Sequence, residues 1–459
     1  MTAPAAPEAS ARARFSWALF DWAQQPYNAL VVGFVFGPWF VSGFIGDPIR
    51  GQQLYGYAIS ATGVLIAIGS PLIGAAIDAR RNPKTWLAGL SIPFVIGCLG
   101  LWLAAPGAAH LAPLVIAALI LSGLATELSI TVVNTMLPYL AQPGRIGRLS
   151  GSSWALGYFA ALASLFLFLF AFAWPEQPLF GLDKAAGEDD RVVGPLAALW
   201  YLVFVAPLFL FVPPPPAGAT LLNPVRELGR TLKHLPKNRT MSAFLIGRML
   251  LADGANAAGA FGPVIAAGLF GWTSTEVGVF GIILATVAGI SVFFAGRLDD
   301  RIGSKRTVLI FTLLLMVGIG GIGMIGAERL FFSIPVEGPR PGDGLFASTP
   351  ERLYLLCGVL IGAAFGPIGA APRTWMARLS PPGEEGRWFG LFGLAGRATA
   401  FAAPAIIAVL TGAVGDQRIA VPVVIAFLSA GAVFLLGTPG ERDQAENTAA
   451  GSSGSTRST

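Results

Sequence analysis

Residues 296–306 read GRLDDRIGSKR, and residues 74–84 read GAAIDARRNPK. In each stretch a glycine stands four positions ahead of an aspartate, Gly296 before Asp300 and Gly74 before Asp78. Basic residues follow, Arg301, Lys305 and Arg306 in one and Arg80, Arg81 and Lys84 in the other. The copies are 222 positions apart, close to half of the 459 residues. Each lies between two long apolar runs, so the chain reads as a membrane protein made of two related halves.

Composition supports that reading. Hydrophobic residues make up 54 % of the chain and charged residues 12 %, with a mean hydropathy of +0.68, whereas a soluble chain carries about 25 % charged residues to cover its surface. A soluble globule is excluded. The formal charge of +5 does not argue for nucleic acid, because the basic residues collect in the loops between apolar runs. Cys98 and Cys357 both fall inside apolar runs, which leaves no disulfide framework and no zinc cluster. The polar opening MTAPAAPEASARAR has no apolar core ahead of a cleavage site, so no signal peptide is expected.

A span needs roughly 20 apolar residues to cross about 30 Å of hydrocarbon. About twelve such runs are present. The expected organisation is a cytoplasmic tail at 1–14, a six-helix bundle at 15–213, a cytoplasmic linker at 214–240, a second six-helix bundle at 241–437 and a disordered tail at 438–459. The fold class is therefore all-α integral membrane, with two pseudo-symmetric bundles. Placing both termini in the cytoplasm puts roughly 20 of the 30 basic residues on that side and about 7 on the other, as the retention of Lys and Arg inside the cell requires. The expected location is a bacterial cytoplasmic membrane.

Twelve spans in two sixes, a central linker and the repeated Gly-x-x-x-Asp-basic loop together resemble the major facilitator superfamily. Within it, WALFDWAQQPY at 17–27 and PRTWMARLSPPGEEGRWFGLFGLAGRATAFAAP at 372–404 resemble the vacuolar amino-acid effluxer family and its bacterial relatives. The first loop departs from the superfamily pattern at Ala79, Arg81 and Pro83. A second repeat, at an offset of 239, pairs Thr135 with Thr374, Arg148 with Arg387, Gly151 with Gly390 and Gly157 with Gly396. The resemblance implies that Asp78 faces the start of the eleventh helix and Asp300 the start of the fifth. There a carboxylate would meet the unpaired amides and partial positive charge of a helix N-terminus. Asp78, Asp300, Arg301, Arg148 and Arg387 are thus the candidate gating residues. The alternative is that these charges only obey the inside rule.

Ionisable residues within a span cost about 2.5 to 3.5 kcal/mol each on insertion scales, so they mark a cavity or a partner. Asp21, Gln24, Gln25 and Asn28 share one face of the first span, and Pro26 is expected to bend it. Glu127, Thr131 and Asn134 repeat that spacing on the fourth. Arg248, Asp253 and Asn256 lie on the seventh, Arg373 on the tenth and Arg397 on the eleventh. The resemblance implies that the first, fourth, seventh and tenth spans line a central cavity. Candidate cargo-binding residues are therefore Gln24, Gln25, Asn28, Glu127, Asn134, Asp253, Asn256, Arg373 and Arg397, with Glu127 and Asp253 the candidate proton carriers. Internal ion pairs would account for the same charges.

His110 and His234 lie outside the apolar runs as read from the sequence, the fourth of which is taken to start at 111, and no phosphate-binding Gly-x-x-x-x-Gly-Lys-Ser/Thr loop occurs. No metal site, cofactor or catalytic nucleophile is expected, and neither is enzymatic activity. The partners implied are the bilayer, a small-molecule substrate and protons as the candidate coupling ion, with a monomer as the default. Three functions fit: secondary transport of an amino acid or organic acid by alternating access, proton-coupled efflux of amphipathic drugs, and a non-transporting sensor or scaffold.

Overall fold

The computed structural model describes residues 8–216, 224–340 and 344–439. Parts of the expected N-terminal tail (1–7), linker (217–223) and C-terminal tail (440–459) lie outside the described residues. Among the described residues, eleven helices are long and apolar enough to cross a membrane. They are Ala11–Phe44, Pro48–Arg80, Pro83–Leu103, Ala109–Asn134, Pro143–Ala173, Glu188–Phe211, Arg239–Phe270, Thr275–Ile302, Ser304–Gly323, Thr349–Leu379 and Gln417–Leu436. We call them spans 1 to 10 and span 12. Span 11, read from the sequence as one run, consists of two shorter helices, Glu385–Ala395 and Ala402–Val414, joined by an unwound stretch.

The expected bend in span 1 has an identifiable cause and a compensation. Pro26 has no N–H to offer the carbonyl of Trp22 four residues back. The indole of Trp200 on span 6 donates to that carbonyl at 3.0 Å. Beyond Pro26 the helix widens to π geometry over Tyr27–Phe34, as happens where the regular ladder is interrupted. Tyr27 then reaches span 4, its hydroxyl 3.0 Å from Ser122 Oγ.

The chain divides into two compact units. Unit 1 holds Met1–Pro143, Ser152–Gly229 and a short piece of the C-terminal half, Ser380–Leu394. Unit 2 holds Arg230–Leu379, Ala395–Thr459 and a short piece of the N-terminal half, Gly144–Gly151. The exchanged pieces are the start of span 5 and the first helix of span 11. Within the linker, Pro224–His234 forms a helix with Val225, Leu228 and Leu232 on one face and Arg226, Arg230 and Lys233 on the other.

Candidate functional site

Both exchanged pieces are held by the repeated loop. In unit 1, Asp78 near the end of span 2 accepts the backbone N–H of Gly386 on Oδ1 at 2.6 Å and that of Arg387 on Oδ2 at 2.9 Å. In unit 2, Asp300 near the end of span 8 accepts the N–H of Gly147 at 2.8 Å and of Arg148 at 2.9 Å. All four amides belong to first helical turns, where no intrahelical acceptor exists. Each carboxylate therefore satisfies two orphan donors and adds a full negative charge to the positive end of a helix dipole.

The glycines explain why the carboxylates reach. A Cβ on Gly74 would stand 2.1 Å from the carbonyl oxygen of Gly386, and one on Gly390 would stand 2.5 Å from that of Ser70. In the other unit a Cβ on Gly296 would lie 2.4 Å from the carbonyl oxygen of Gly147, and one on Gly151 would lie 2.5 Å from that of Val292. Contacts this short require bare backbone on both helices. The glycine four residues before the aspartate brings the helices together, and the aspartate one turn later then meets the neighbouring amides.

The basic residues of the loops serve other helix ends. Lys84 Nζ donates to the carbonyl of Phe209 at 2.9 Å, near the end of span 6. Lys305 Nζ donates to the carbonyls of Leu436 and Thr438, both at 2.8 Å, at the end of span 12. Each loop thus places an anion at one helix N-terminus and a cation at one helix C-terminus, both complementary to the dipole. Sequence reading assigned these lysines only to the inside rule; what their ammonium groups meet is set by tertiary packing.

Around Asp300 lies a network that sequence reading missed. Arg378 at the end of span 10 donates to Asp299 at 2.8 Å, to Asp300 at 3.0 Å and to Ser304 Oγ at 3.0 Å, with its side chain 9 % exposed. The doubled aspartate at 299–300 was the available signal. Arg373, a candidate cargo ligand, is buried and gives Nε to Ser150 Oγ at 2.9 Å and Nη2 to the Ser150 carbonyl at 2.7 Å. The structure thus turns it toward the exchanged start of span 5. Arg148 Nε is 4.0 Å from Asp300 with its side chain half exposed, whereas Arg387 Nε is 3.6 Å from Asp78 and largely covered. Arg301 is exposed.

The remaining polar residues form two groups, one in each unit. In unit 1, Asn28 donates to Gln24 at 3.0 Å and Gln24 to Gln25 at 3.1 Å, giving a chain of amides on span 1. Ser153 on span 5 donates to Asp21, so that carboxylate is tied to a neighbouring helix. Glu127 is half-buried, and Asn134 is buried at the end of span 4.

In unit 2, Asp253 on span 7 is buried. It accepts the hydroxyl of Thr399 on Oδ2, and its Oδ1 is buried with no hydrogen-bond partner among the described residues. Thr399 and Arg397 both sit in the unwound stretch of span 11, and Arg248 lies within electrostatic reach of Asp253 and Arg397. Asn256 is exposed. A broken helix surrounding a buried carboxylate is a construction by which membrane proteins hold polar solutes or ions. The apolar run at 387–412 gave no sign of the break.

A family model described as vacuole effluxer Atg22-like matches residues 41–448. A protein of Bacillus subtilis (strain 168) described as the uncharacterized MFS-type transporter YxiO is 19 % identical over 435 residues, 93 % of this chain and 94 % of that one. Autophagy-related protein 22 of Cryptococcus neoformans (serotype D, strain JEC21) is 23 % identical over 282 residues, 59 % of this chain. The match covers 46 % of that fungal protein, so the chain spans about half of its length. Among solved structures, the proton:xylose symporter XylE superposes with a TM-score of 0.72 at 15 % identity, covering 95 % of this chain and 98 % of that one. A bacterial homologue of the iron transporter ferroportin, in an outward-facing state, gives 0.67 at 14 % identity over 93 % and 98 %. Those likenesses establish the major facilitator fold, and the family match establishes that the chain belongs to the vacuole effluxer Atg22-like family.

Proposed function

We propose that this protein is a secondary active transporter that moves a small polar solute, an amino acid or organic acid, by alternating access in a bacterial cytoplasmic membrane, with both termini cytoplasmic. The observation that carries the reading is the matched pair of latches. Asp78 and Asp300 each bind the first turn of a helix borrowed from the other half of the sequence. Alternating access needs contacts that form in one state and release in another, and a charge-assisted cap of about 0.3 to 2 kcal/mol suits that task. The full-length bacterial relative described as a transporter supports the same reading.

Cargo contact is assigned to Glu127, Gln24, Gln25, Asn28 and Asn134 in one unit and to Asp253, Asn256 and Arg397 in the other. Glu127 and Asp253 are the proposed proton carriers, because an ionisable residue within a span marks a pathway or a partner. Arg373 is proposed to act through Ser150, on the latch. The test is uptake into proteoliposomes of labelled amino acids, organic acids and cationic dyes, with and without a proton gradient. Flux of amino or organic acids that collapses in Asp300→Asn supports the proposal. Flux confined to cationic dyes, or none in any condition, overturns it. If Glu127→Gln leaves every active flux unchanged, the proton role of Glu127 is wrong.

A further inference from the structure

The loop from span 9 to span 10 plays no part in the transport reading. Span 9 ends at Gly323, and a small antiparallel hairpin follows, Arg329–Leu330 against Ile334–Pro335. The Leu330 carbonyl accepts the Ser333 N–H at 3.1 Å, closing a turn whose central residues are Phe331 and Phe332. Their φ angles are 49° and 64°. Asn and Gly are the usual occupants of such a turn, since left-handed backbone crowds a Cβ against the following carbonyl. Two bulky aromatic residues are held here against local preference, with 59 % and 68 % of their surfaces exposed.

Hydrogen bonds fix the depth of the tip. Phe331 N–H donates to the carbonyl of Met324, the residue that follows span 9, at 2.8 Å. Gly326 N–H donates to Arg329 at 2.8 Å and Val336 N–H to Glu328 at 2.9 Å. The tip therefore folds back to the level at which the span ends. Ile310, Leu313 and Val317 form one exposed apolar stripe along span 9, and exposed Met324 extends it at the helix end. Phe331, Phe332 and exposed Ile334 continue that apolar surface past the end of the helix.

We propose that the hairpin tip is a membrane anchor, with Phe331 and Phe332 seated in the boundary between headgroups and acyl chains of the leaflet where span 9 ends. The bilayer is the partner. Apolar rings at that depth leave water for lipid, which opposes the unfavourable backbone of the turn. The anchor would hold the loop that leads into span 10 at a fixed depth.

Spin labels attached in liposomes to Phe332→Cys and, separately, to Glu337→Cys, each in a Cys98→Ala/Cys357→Ala background, test this. The Phe332 label is expected to collide preferentially with dissolved oxygen, and the Glu337 label with a water-soluble nickel chelate. Equal preference for the chelate at both sites overturns the anchor. Protection of the Phe332 label from both reagents also overturns it, by showing a protein contact instead. A label at Ser333 supplies a second reading. Phe331→Asn/Phe332→Gly suits the turn and removes both rings, so that label should shift at least twofold toward the chelate relative to the parent. No shift would mean that the rings hold nothing in the lipid.

Discussion

The two proposed latches share a backbone and differ in charge. In both, a glycine interlock brings two helices together and an aspartate takes two amides of a first turn. Around Asp300 the guanidinium of Arg378 bridges Asp299 and Asp300, and that of Arg373 holds Ser150. At the repeat offsets, the N-terminal half has Ile77 for Asp299, Tyr139 for Arg378 and Asn134 for Arg373. A shallow cleft of about 20 Å³ lies beside Asp78, lined by Ile77, Thr135, Tyr139 and Glu385 among others. Burial raises the Tyr139 phenol above its ordinary pKa, so it stays neutral at physiological pH. Both latches are thus set by geometry and both have a covered arginine at hand, but Arg387 stays 3.6 Å from Asp78 whereas Arg378 hydrogen-bonds Asp300 at 3.0 Å, so the C-terminal one should be the stronger.

Asp300→Asn should show the largest effect. It removes the anion from two amides and from Arg378, whose side chain and that of Asp300 are 9 % and 4 % exposed. Breaking one partner of a buried pair costs about 3 kcal/mol or more. At 1.4 kcal/mol per decade, the latched population should fall on the order of 100-fold relative to the unlatched one. Labelling of a cysteine introduced beside Gly147 by an impermeant maleimide in inside-out vesicles reads that population. Unchanged labelling would mean that Asp300 does not hold the latch.

The glycine interlock comes next, and here the two halves should behave alike. Gly74→Ala and Gly296→Ala each drive a methyl to 2.1 Å or 2.4 Å from a backbone oxygen, and overpacking of that kind costs about 1 to 3 kcal/mol. Thermal melting in detergent should fall similarly for both. A large difference between them would show that the halves differ in backbone as well as in charge.

Asp78→Asn should cost less than Asp300→Asn, about 1.5 kcal/mol, since it loses charge-assisted bonds to two amides but no guanidinium hydrogen bond, and Arg387 keeps Glu384 at 3.0 Å. The same maleimide assay should then give roughly a tenfold shift. Equal shifts for the two aspartates would remove the asymmetry inferred from Arg378.

The sequence revealed what repeats and hid what does not. Glycine four residues before aspartate is a local pattern with a local cause, so both loops could be located from residues alone, whereas their facing the starts of spans 11 and 5 was implied by the family resemblance. The departures of the first copy at Ala79, Arg81 and Pro83 were legible too. In the structure Pro83 sits at the start of span 3 and Arg81 takes the left-handed position ending span 2, so neither disturbs Asp78. Arg378 was not legible, because its partners are 78 and 79 residues away and nothing local to span 10 announces them. The break in span 11 was hidden for the opposite reason: no proline falls within Gly396–Phe401, and continuous hydropathy masks a break whose residues make tertiary bonds such as Thr399 to Asp253. Candidate cargo residues were readable as polar groups within spans, but which of them are spent on protein contacts, as Arg373 is, depends on packing.

The smallest expected effect is a gain, and it tests the comparison most directly. Ile77→Asp/Tyr139→Arg would copy the Asp299–Arg378 pair into the N-terminal latch, at positions that both line the cleft beside Asp78. A new buried pair must offset its own desolvation, so the net stabilisation should not exceed about 1 kcal/mol. Each single variant should be destabilising, since it buries one unpaired charge. The signature is therefore the coupling in the double-mutant cycle, favourable and well above the additivity error of about 0.5 kcal/mol, read from maleimide protection near Gly386. If the two substitutions are merely additive, the asymmetry between the latches does not come from this pair of positions. It would then have to be sought in Arg373 and its hold on Ser150.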